Sequence, residues 1–230
     1  MVGWPRQAVK LGSYPGECMS RLIVFASGSR DGGGSGFAKL VEACRSGELS
    51  AEIIAVVSNH AEGGVRRRAD ALGVPFVHFG GPWEAAFYRF VVAQTGAEWI
   101  ALSGWLKPVL GLDPSRTFNI HPGPLPKFGG MGMYGHHVHE AVLAAYRRGE
   151  VAHSEVSMHF VTEKYDEGPV FFRHQVEILA DDTAETLAGR VNAVEHAWQP
   201  RITDLVVRGQ ISWDGRDPSS LVVPDGYAFL

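Results

Sequence analysis

The sequence predicts an α/β fold of the Rossmann-like type: a mostly parallel, twisted sheet with helices on both faces and an antiparallel strand pair near the C-terminus. Two observations lead to this prediction. Short runs that are apolar along their whole length alternate with helical segments, which is typical of parallel strands covered on both faces. Near the end of the chain, two strand-like runs are joined by one short turn, as in an antiparallel pair.

The first half of the chain carries the parallel strands and their helices. Apolar, β-rich runs predict strands at 21–27, 53–58, 75–78, 99–103 and 117–120. Apolar residues at helical spacing predict helices at 37–44, 65–72 and 83–94. The chain that follows Ile120 is too rich in proline and glycine for regular structure.

The second half adds a helix, the antiparallel pair and a last, longer helix. A helix is predicted at 137–148, and strands at 156–161 and 170–176. The last helix opens at Asp182 or Thr183 and runs towards Gly209. Thr183 is its expected N-cap, because a threonine hydroxyl can accept a hydrogen bond from a free N–H of the first turn, here that of Thr186.

Length and patterning indicate one domain. A chain of 230 residues can bury a sizeable core, and this one has no internal repeat or low-complexity linker. Residues 1–20 lack periodicity and are expected to be a poorly ordered leader. Residues 21–215 are expected to form the domain, and residues 216–230 a weakly patterned tail.

Composition narrows the function. The chain has 45% hydrophobic and 20% charged residues, as ordinary soluble globular proteins do. Its 21 Lys+Arg against 25 Asp+Glu give a formal charge of -4, which is too acidic for nonspecific nucleic-acid binding and favours small-molecule partners. No apolar run is long enough for a membrane span. Cys18 and Cys44 lack metal-site spacing, which favours a cytoplasmic protein with free thiols. We also expect the protein to be a monomer or a homodimer.

The segment 28–36 is a glycine loop between the first strand and the first helix. Five glycines fall in it, at positions 28, 32, 33, 34 and 36. Backbone N–H groups and the positive end of the helix would suit a phosphate. The spacing matches neither the dinucleotide fingerprint nor a P-loop. A flexible turn without a ligand is the alternative.

Asn119 and His121 alternate at the end of an apolar strand and therefore point to the same side. In an open parallel sheet the carboxyl ends of the strands line the ligand crevice, and amide and imidazolium N–H groups suit an oxyanion. Asp166, in the turn between the two late strands, could pair with an imidazole or accept a proton. The alternatives are a core histidine, a turn-capping asparagine and a turn-forming aspartate.

Three further groups have simple interpretations. One cluster resembles metal ligands at first sight and consists of His136, His137, His139 and Glu140. It lacks the H-E-x-x-H spacing of a zinc site, so we expect contacts with substrate or solvent and no metal. His159 is expected to be a hydrogen-bonded strand histidine. The run Arg66-Arg67-Arg68 is expected to be a solvated helix face.

Several segments together resemble the phosphoribosylglycinamide formyltransferases, a family of folate-dependent enzymes of purine synthesis. They are Asn119-Ile-His121-Pro with Leu125-Pro-Lys127, His159-Phe-Val-Thr162, Asp166-x-Gly168-Pro-Val170 and Glu195-His196. The resemblance extends from about Arg21 to Gly215. It implies an enzyme that transfers a formyl group from 10-formyltetrahydrofolate to the amine of glycinamide ribonucleotide, without a metal.

The resemblance also implies the site residues. Asn119 and His121 would stabilise a tetrahedral oxyanion, and Asp166 would assist proton transfer. The substrate's phosphate and ribose would be bound by Gly34, Ser35, Gly36 and Glu195. The folate would be bound by Leu106, Lys107, Val109, Thr162, Glu163 and Tyr165.

The chain departs from the family pattern mainly at the substrate end. The family loop is a compact Gly-x-Gly-Ser-Asn, whereas segment 28–36 is longer and has Gly36 where the asparagine is expected. Pro108 removes one N–H beside the expected folate site, and segment 129–139 is also longer. The resemblance therefore indicates the type of reaction more clearly than it indicates the identity of the formyl acceptor.

Two other kinds of function remain open. A related enzyme could formylate another amine, such as a nucleotide sugar or an initiator aminoacyl-tRNA, or hydrolyse formyltetrahydrofolate. The tRNA enzyme would be expected to have a C-terminal RNA-binding domain and the hydrolase an N-terminal regulatory domain, whereas 15 residues follow Gly215 and 20 precede Arg21. The other kind is a non-catalytic α/β protein that binds a phosphate ligand. A separation of more than ~8 Å between Asn119, His121 and Asp166 would favour it.

Overall fold

The computed structural model describes residues 2–3 and 19–230, and within them eight strands form one sheet. The strands are β1 Val2–Gly3, β2 Ser20–Phe25, β3 Ala51–Ser58, β4 Phe76–Phe79, β5 Trp99–Ser103, β6 Thr117–His121, β7 His153–Phe160 and β8 Val170–Glu177. Their order is β1-β4-β3-β2-β5-β6-β7-β8. The run from β4 to β6 is parallel. Strands β1, β7 and β8 are antiparallel to their neighbours.

Helices cover both faces of the sheet, and the predicted fold class is confirmed. The α-helices of the described residues are α1 Ser35–Ser46, α2 Gly64–Leu72, α3 Ala85–Thr95, α4 His136–Arg147 and α5 Ala184–Val207. Buried side chains of α1, α2, α4 and α5 share one core with one sheet face. On the other face, Tyr88 and Val91 of α3 pack with a second apolar cluster. The antiparallel part exceeds the predicted pair, because β7 also runs antiparallel to β6.

The N-terminus of α5 has the cap that the sequence predicts. The Thr183 hydroxyl accepts a hydrogen bond from the Thr186 N–H at 3.2 Å, and the Thr186 hydroxyl accepts one from the Thr183 N–H at 3.0 Å. This reciprocal capping box satisfies two N–H groups that the helix itself leaves without partners. It fixes where the helix begins.

The strand order reverses between β2 and β5, and hydrogen bonds connect the residues that follow the carboxyl ends of these two strands. The chain moves outwards from β2 through β3 to β4, then returns to β5 and β6 on the other side. The Ser27 N–H donates to the Gly104 carbonyl, and the Ser27 hydroxyl accepts from the Leu106 N–H, each at 2.9 Å. Such a reversal leaves a crevice at the carboxyl ends of the strands, where ligands bind in open α/β sheets.

The two ends of the chain differ in how much the structure describes. The predicted leader, 1–20, lies outside the described residues except for Val2–Gly3, Met19 and Ser20, and it stays a prediction. At the other end, the Phe229 carbonyl accepts a hydrogen bond from the Arg173 N–H at 2.8 Å, so the tail packs against β8. None of the helices in the described part of the chain is long and apolar enough to cross a membrane.

Candidate active site

Two cavities meet at the carboxyl ends of β2, β5 and β6. The larger, of about 490 Å³, lies between the glycine loop, α5 and the chain around 130–136. The smaller is a slot of about 50 Å³ between the chain after β5 and the β7–β8 turn. Asn119, Tyr165 and Asp166 line both cavities, and His121 lines the larger one. The three predicted catalytic residues thus lie together at the junction.

His121 is the last residue of β6, and its ring is buried and held at both nitrogens. The Phe128 carbonyl lies 2.8 Å from Nε2, and Asp166 Oδ2 lies 3.7 Å from Nδ1. Because a carbonyl can only accept, the proton of the neutral ring is on Nε2, and Nδ1 faces Asp166. Burial lowers the pKa of His121, and the opposing effects of Asp166 and the Phe128 carbonyl do not offset it. The ring is therefore neutral at pH 7.

Asp166 is positioned by its turn and by a close approach of the preceding loop. Its backbone is left-handed, with φ 55°, and its Oδ2 accepts a hydrogen bond from the Gly130 N–H at 2.9 Å. A Cβ at position 129 would lie 2.9 Å from the Asp166 Cβ, so only glycine allows this approach. Burial acts to raise the pKa of Asp166, but the adjacent imidazoles of His159 and His121, whose positive charge the carboxylate would stabilise, and the Gly130 N–H lower it. The carboxylate is therefore charged.

His159 links two of the predicted catalytic residues, Asn119 and Asp166. Sequence reasoning missed this link. It lies directly opposite Asn119 in the β6–β7 ladder. Its Nδ1 donates to the Phe160 carbonyl at 2.8 Å, and its Nε2 lies 3.1 Å from Asn119 Nδ2 and 3.3 Å from Asp166 Oδ1. With the proton on Nδ1, Nε2 accepts from the Asn119 amide and fixes its orientation. The expected strand hydrogen bond exists, but the ring also links the site. Only the β6–β7 register could have shown this.

The distances exclude the wide separation that would mark a non-catalytic protein. Asn119, His159, Asp166 and His121 form a chain in which consecutive side chains approach within 3.7 Å. The Asn119 Nδ2 bonded to His159 carries a second N–H for a ligand. An amide donor, an imidazole and a charged carboxylate at one point can stabilise an oxyanion and move a proton.

The residues predicted for phosphate and ribose all line the larger cavity. Gly34 is the N-cap of α1, Ser35 and Gly36 begin the helix, and Glu195 faces them from α5. A Cβ at Gly36 would lie 2.3 Å from Ser103 Oγ and 2.8 Å from Gln199 Oε1. These two side chains therefore occupy the space that an asparagine at position 36 would need.

Helix α5 contributes more to the cavity than the predicted Glu195. Asn192 and Gln199 line the same wall, and Asn192 Nδ2 donates to Glu195 Oε2 at 3.2 Å. Burial raises the pKa of Glu195 to about 7, and the hydrogen bond from Asn192 opposes this only in part. Positions 192, 195 and 199 recur at helical spacing, so the sequence contained the pattern that places them together.

His139, for which we expected a contact with substrate or solvent, lines the larger cavity. Its side chain is buried, and its Nδ1 has no hydrogen-bond partner among the described residues. Burial is the main cause that lowers the pKa of His139 to about 4, and the nearby imidazoles of His136 and His121 disfavour its protonated form further. It is therefore neutral at pH 7.

The residues predicted for folate divide between the two cavities. Lys107, Val109, Thr162 and Glu163 line the slot, Leu106 lines the larger cavity, and Tyr165 lines both. The chain that carries Leu106, Lys107 and Val109 is anchored from α3, because the Tyr88 hydroxyl donates to the Pro108 carbonyl at 2.5 Å and accepts from Trp105 Nε1 at 3.1 Å. One wall of the slot is thus held rigidly, while the opposite wall is an exposed turn.

The histidine cluster at the start of α4 does not converge on one point. His137 lies 3.5 Å from Glu140, and both side chains are largely exposed. Within residues 2–3 and 19–230, no three His, Cys, Asp or Glu side chains are arranged to hold a metal ion.

The arginine run is not simply a solvated face. Arg66 pairs with Asp70, but Arg67 Nη2 donates to the Arg30 carbonyl and Arg68 Nε to the Gly33 carbonyl, each at 3.0 Å. Two of the three arginines therefore support the glycine loop. The face is exposed as expected, but it also contacts the long loop, whose carbonyls helical spacing alone cannot reveal.

Comparison with known proteins identifies the family. A profile described as "Formyl transferase" matches residues 20–203. The chain belongs to the formyl transferase family. It is 34% identical to a chloroplastic phosphoribosylglycinamide formyltransferase of Arabidopsis thaliana, over 84% of this chain and 67% of that one. It is 30% identical to the phosphoribosylglycinamide formyltransferase of Bacillus subtilis, over 80% and 93%.

A solved structure supports the same assignment. A glycinamide ribonucleotide transformylase of Symbiobacterium toebii superposes with a TM-score of 0.76 and 29% identity, over 90% of this chain and 95% of that one. The family predicted from the sequence motifs is confirmed, and with it the classification as a formyltransferase enzyme.

Proposed function

We propose that this formyltransferase transfers the formyl group of 10-formyltetrahydrofolate to the amine of glycinamide ribonucleotide, in purine biosynthesis. The observation that carries the proposal is the place of Asn119 and Asp166, which line both cavities at their junction. A phosphorylated acceptor in the larger cavity and a folate in the slot would bring amine and formyl carbon to these residues. Holding two reactants in this way supplies much of the rate enhancement of such reactions.

The two cavities suit the two substrates differently. The larger has room for a phosphoribosyl group, with α1's N-terminal N–H groups at one end and Glu195 for sugar hydroxyls. The slot offers backbone groups and the apolar side chains of Val109 and Val161 to a pterin ring.

The reaction needs one bond made, one broken and one proton moved. The amine nitrogen bonds to the formyl carbon, and the second N–H of Asn119 Nδ2 stabilises the oxyanion that forms. The proton of the amine passes to Asp166 through a water molecule and is shared with His121 Nδ1, whose charged form Asp166 stabilises. The bond from the formyl carbon to N10 then breaks, and that nitrogen receives the proton.

His159 is proposed as a positioning residue for this reaction. It lines the slot, and its Nε2 fixes the Asn119 amide and lies beside Asp166. A neutral asparagine amide can rotate by half a turn, which would direct an oxygen instead of an N–H at the oxyanion. The His159 ring prevents that rotation.

The test is an assay of the purified protein with 10-formyltetrahydrofolate and a panel of acceptors. We expect formyl transfer to glycinamide ribonucleotide to be faster than transfer to nucleotide-sugar amines and faster than hydrolysis. Transfer to another amine alone would overturn the acceptor and leave the mechanism standing. Hydrolysis without transfer would overturn the function.

We also propose a cytoplasmic site of action and a monomeric or homodimeric enzyme whose partners are small molecules. The formal charge of -4 supports small-molecule partners, and two cysteines without metal-site spacing support the compartment. Relatives differ in compartment, since the Arabidopsis thaliana relative is chloroplastic. Sedimentation of the purified protein measures the assembly state, and a stable larger assembly would contradict this part.

A further inference from the structure

We propose that Arg68 binds the phosphate group of the acceptor. Its side chain would complete a phosphate site whose other donors are backbone N–H groups of the glycine loop and of the start of α1. The inference rests on the proposed function, and it names the residue that recognises the charged end of that substrate. Neither the sequence motifs nor the family resemblance points to it.

The position of the guanidinium is the first argument. Arg68 Nε donates to the Gly33 carbonyl at 3.0 Å, and a Cβ added at Gly34 would lie 3.4 Å from Arg68 Cδ. Gly33 and Gly34 line the larger cavity, and Gly34 is the N-cap of α1. The arginine side chain therefore lies along the rim, beside the N–H groups to which an anion would bind.

The bonding capacity of the side chain is the second argument. The contact with Gly33 uses Nε and leaves the Nη N–H groups, which suit two phosphate oxygens at once. In the described part of the chain, no carboxylate lies within ion-pair distance of Arg68, whereas Arg66 is paired with Asp70 at 3.0 Å. The charge of Arg68 is thus available to a ligand.

The electrostatic potential at the cavity wall is the third argument. His196 lines the larger cavity from α5. Burial lowers the pKa of His196, the positive charges of Lys39 and Arg68 lower it further, and the carboxylate of Glu42 opposes them. The potential of Arg68 therefore reaches the cavity, where it would attract an anion.

The glycine loop itself explains why a side chain from elsewhere is needed. Gly36 carries no side chain, and Ser103 and Gln199 fill the space where one would lie. Apart from Ser35, the start of α1 thus offers only backbone N–H groups. The long loop brings its carbonyls to α2 and so places Arg68 at the rim.

Arg68→Ala is the decisive variant, and Arg67→Ala is its matched control. Both arginines lie on α2 and donate to a carbonyl of the same loop, so both variants remove one support of the loop. Only Arg68→Ala removes the proposed phosphate ligand. Arg68→Gln keeps an N–H for Gly33 but loses the charge, and it separates recognition from loop support.

Two readouts are measured on each variant: kcat and KM for glycinamide ribonucleotide, and calorimetric binding of ribose 5-phosphate. We expect Arg68→Ala and Arg68→Gln to raise KM and the Kd of ribose 5-phosphate about tenfold, as loss of a charge-assisted hydrogen bond would, with kcat within about twofold of wild type. Arg67→Ala should change both by less than about threefold.

Equal effects of Arg67→Ala and Arg68→Ala, or wild-type affinity in Arg68→Gln, would overturn the inference. The outcome for the proposed function is separate. If wild type fails to formylate glycinamide ribonucleotide but ribose 5-phosphate binding still depends on Arg68, the proposed function fails and the phosphate site stands.

Discussion

The two ends of the larger cavity are built in different ways. At the junction with the slot, Asn119, His121 and Asp166 are side chains fixed by strand register, a tight turn and buried hydrogen bonds. At the other end, segment 28–36 offers mostly backbone and is supported by exposed arginines from α2. The first end matches the family motifs, and the second departs from them.

This difference separates what the reaction demands from what recognition demands. Donors at an oxyanion must lie within a few tenths of an ångström of one position, so register and burial constrain them. A phosphate accepts hydrogen bonds from many directions, and N–H groups from a loop, a helix end or an arginine can serve it equally. We therefore expect changes at the junction to act on kcat and changes at the loop to act on KM.

Asn119→Ala should have the largest effect. Loss of one oxyanion donor lowers kcat by ~10²–10³ in comparable sites, and the alanine leaves β6 and its pairing in place. Steady-state kinetics with circular dichroism of the variant checks this. A kcat within about tenfold of wild type would remove Asn119 from the catalytic residues.

His159→Ala should lower kcat by roughly 10–10², because the Asn119 amide loses the group that orients it. His159→Gln, which can still bond to the amide, should recover part of the loss. The double variant with Asn119→Ala should lose little more than Asn119→Ala alone, since both changes remove one function. Fully additive losses would show that His159 acts independently of Asn119.

Gly36→Asn tests the loop end with a smaller effect. The new side chain collides with Ser103 and Gln199, so we expect KM for the acceptor to rise and stability to fall by about 1 kcal/mol or more. Adding Ser103→Ala and Gln199→Ala makes room and should restore stability, measured by urea unfolding. A single variant as stable as wild type would contradict the packing described at this position.

Glu195→Gln should have the smallest effect, visible as a change with pH. The pKa of Glu195 rises from an ordinary 4.5 to about 7 on folding, so the folded protein favours the protonated form. Wild type therefore loses stability as pH rises from 4.5 to 7, and the glutamine variant does not. Near pH 8 we expect the variant to be more stable than wild type, and near pH 4.5 equally stable. Equal stability at both pH values would show that Glu195 is solvated.

Local sequence patterns predicted most of the fold and, within the site, the pairing of Asn119 with His121. Uniformly apolar runs and helical spacing gave the strands and helices, and Thr183 gave the start of α5. Asn119 and His121 could be paired because they alternate on one strand. By contrast, the link from Asn119 to His159 depends on cross-strand register between segments 40 residues apart. Local sequence does not contain that register.

The loop end could be predicted less well for a related reason. Segment 28–36 could be placed before a helix, but its supports, Arg67 and Arg68, come from α2, 37 and 35 residues away. Their spacing on the helix gives no indication of which carbonyls they meet. The space below Gly36 is likewise filled by Ser103 and Gln199, which are distant in sequence.

The most direct test of this division of labour is a Michaelis analysis of wild type, Asn119→Ala and Arg68→Ala. Glycinamide ribonucleotide is varied at saturating 10-formyltetrahydrofolate. Asn119→Ala should lose ~10²–10³ in kcat with KM nearly unchanged, and Arg68→Ala should gain about tenfold in KM with kcat nearly unchanged. If both variants change the same constant, the two ends of the cavity do not perform separate tasks.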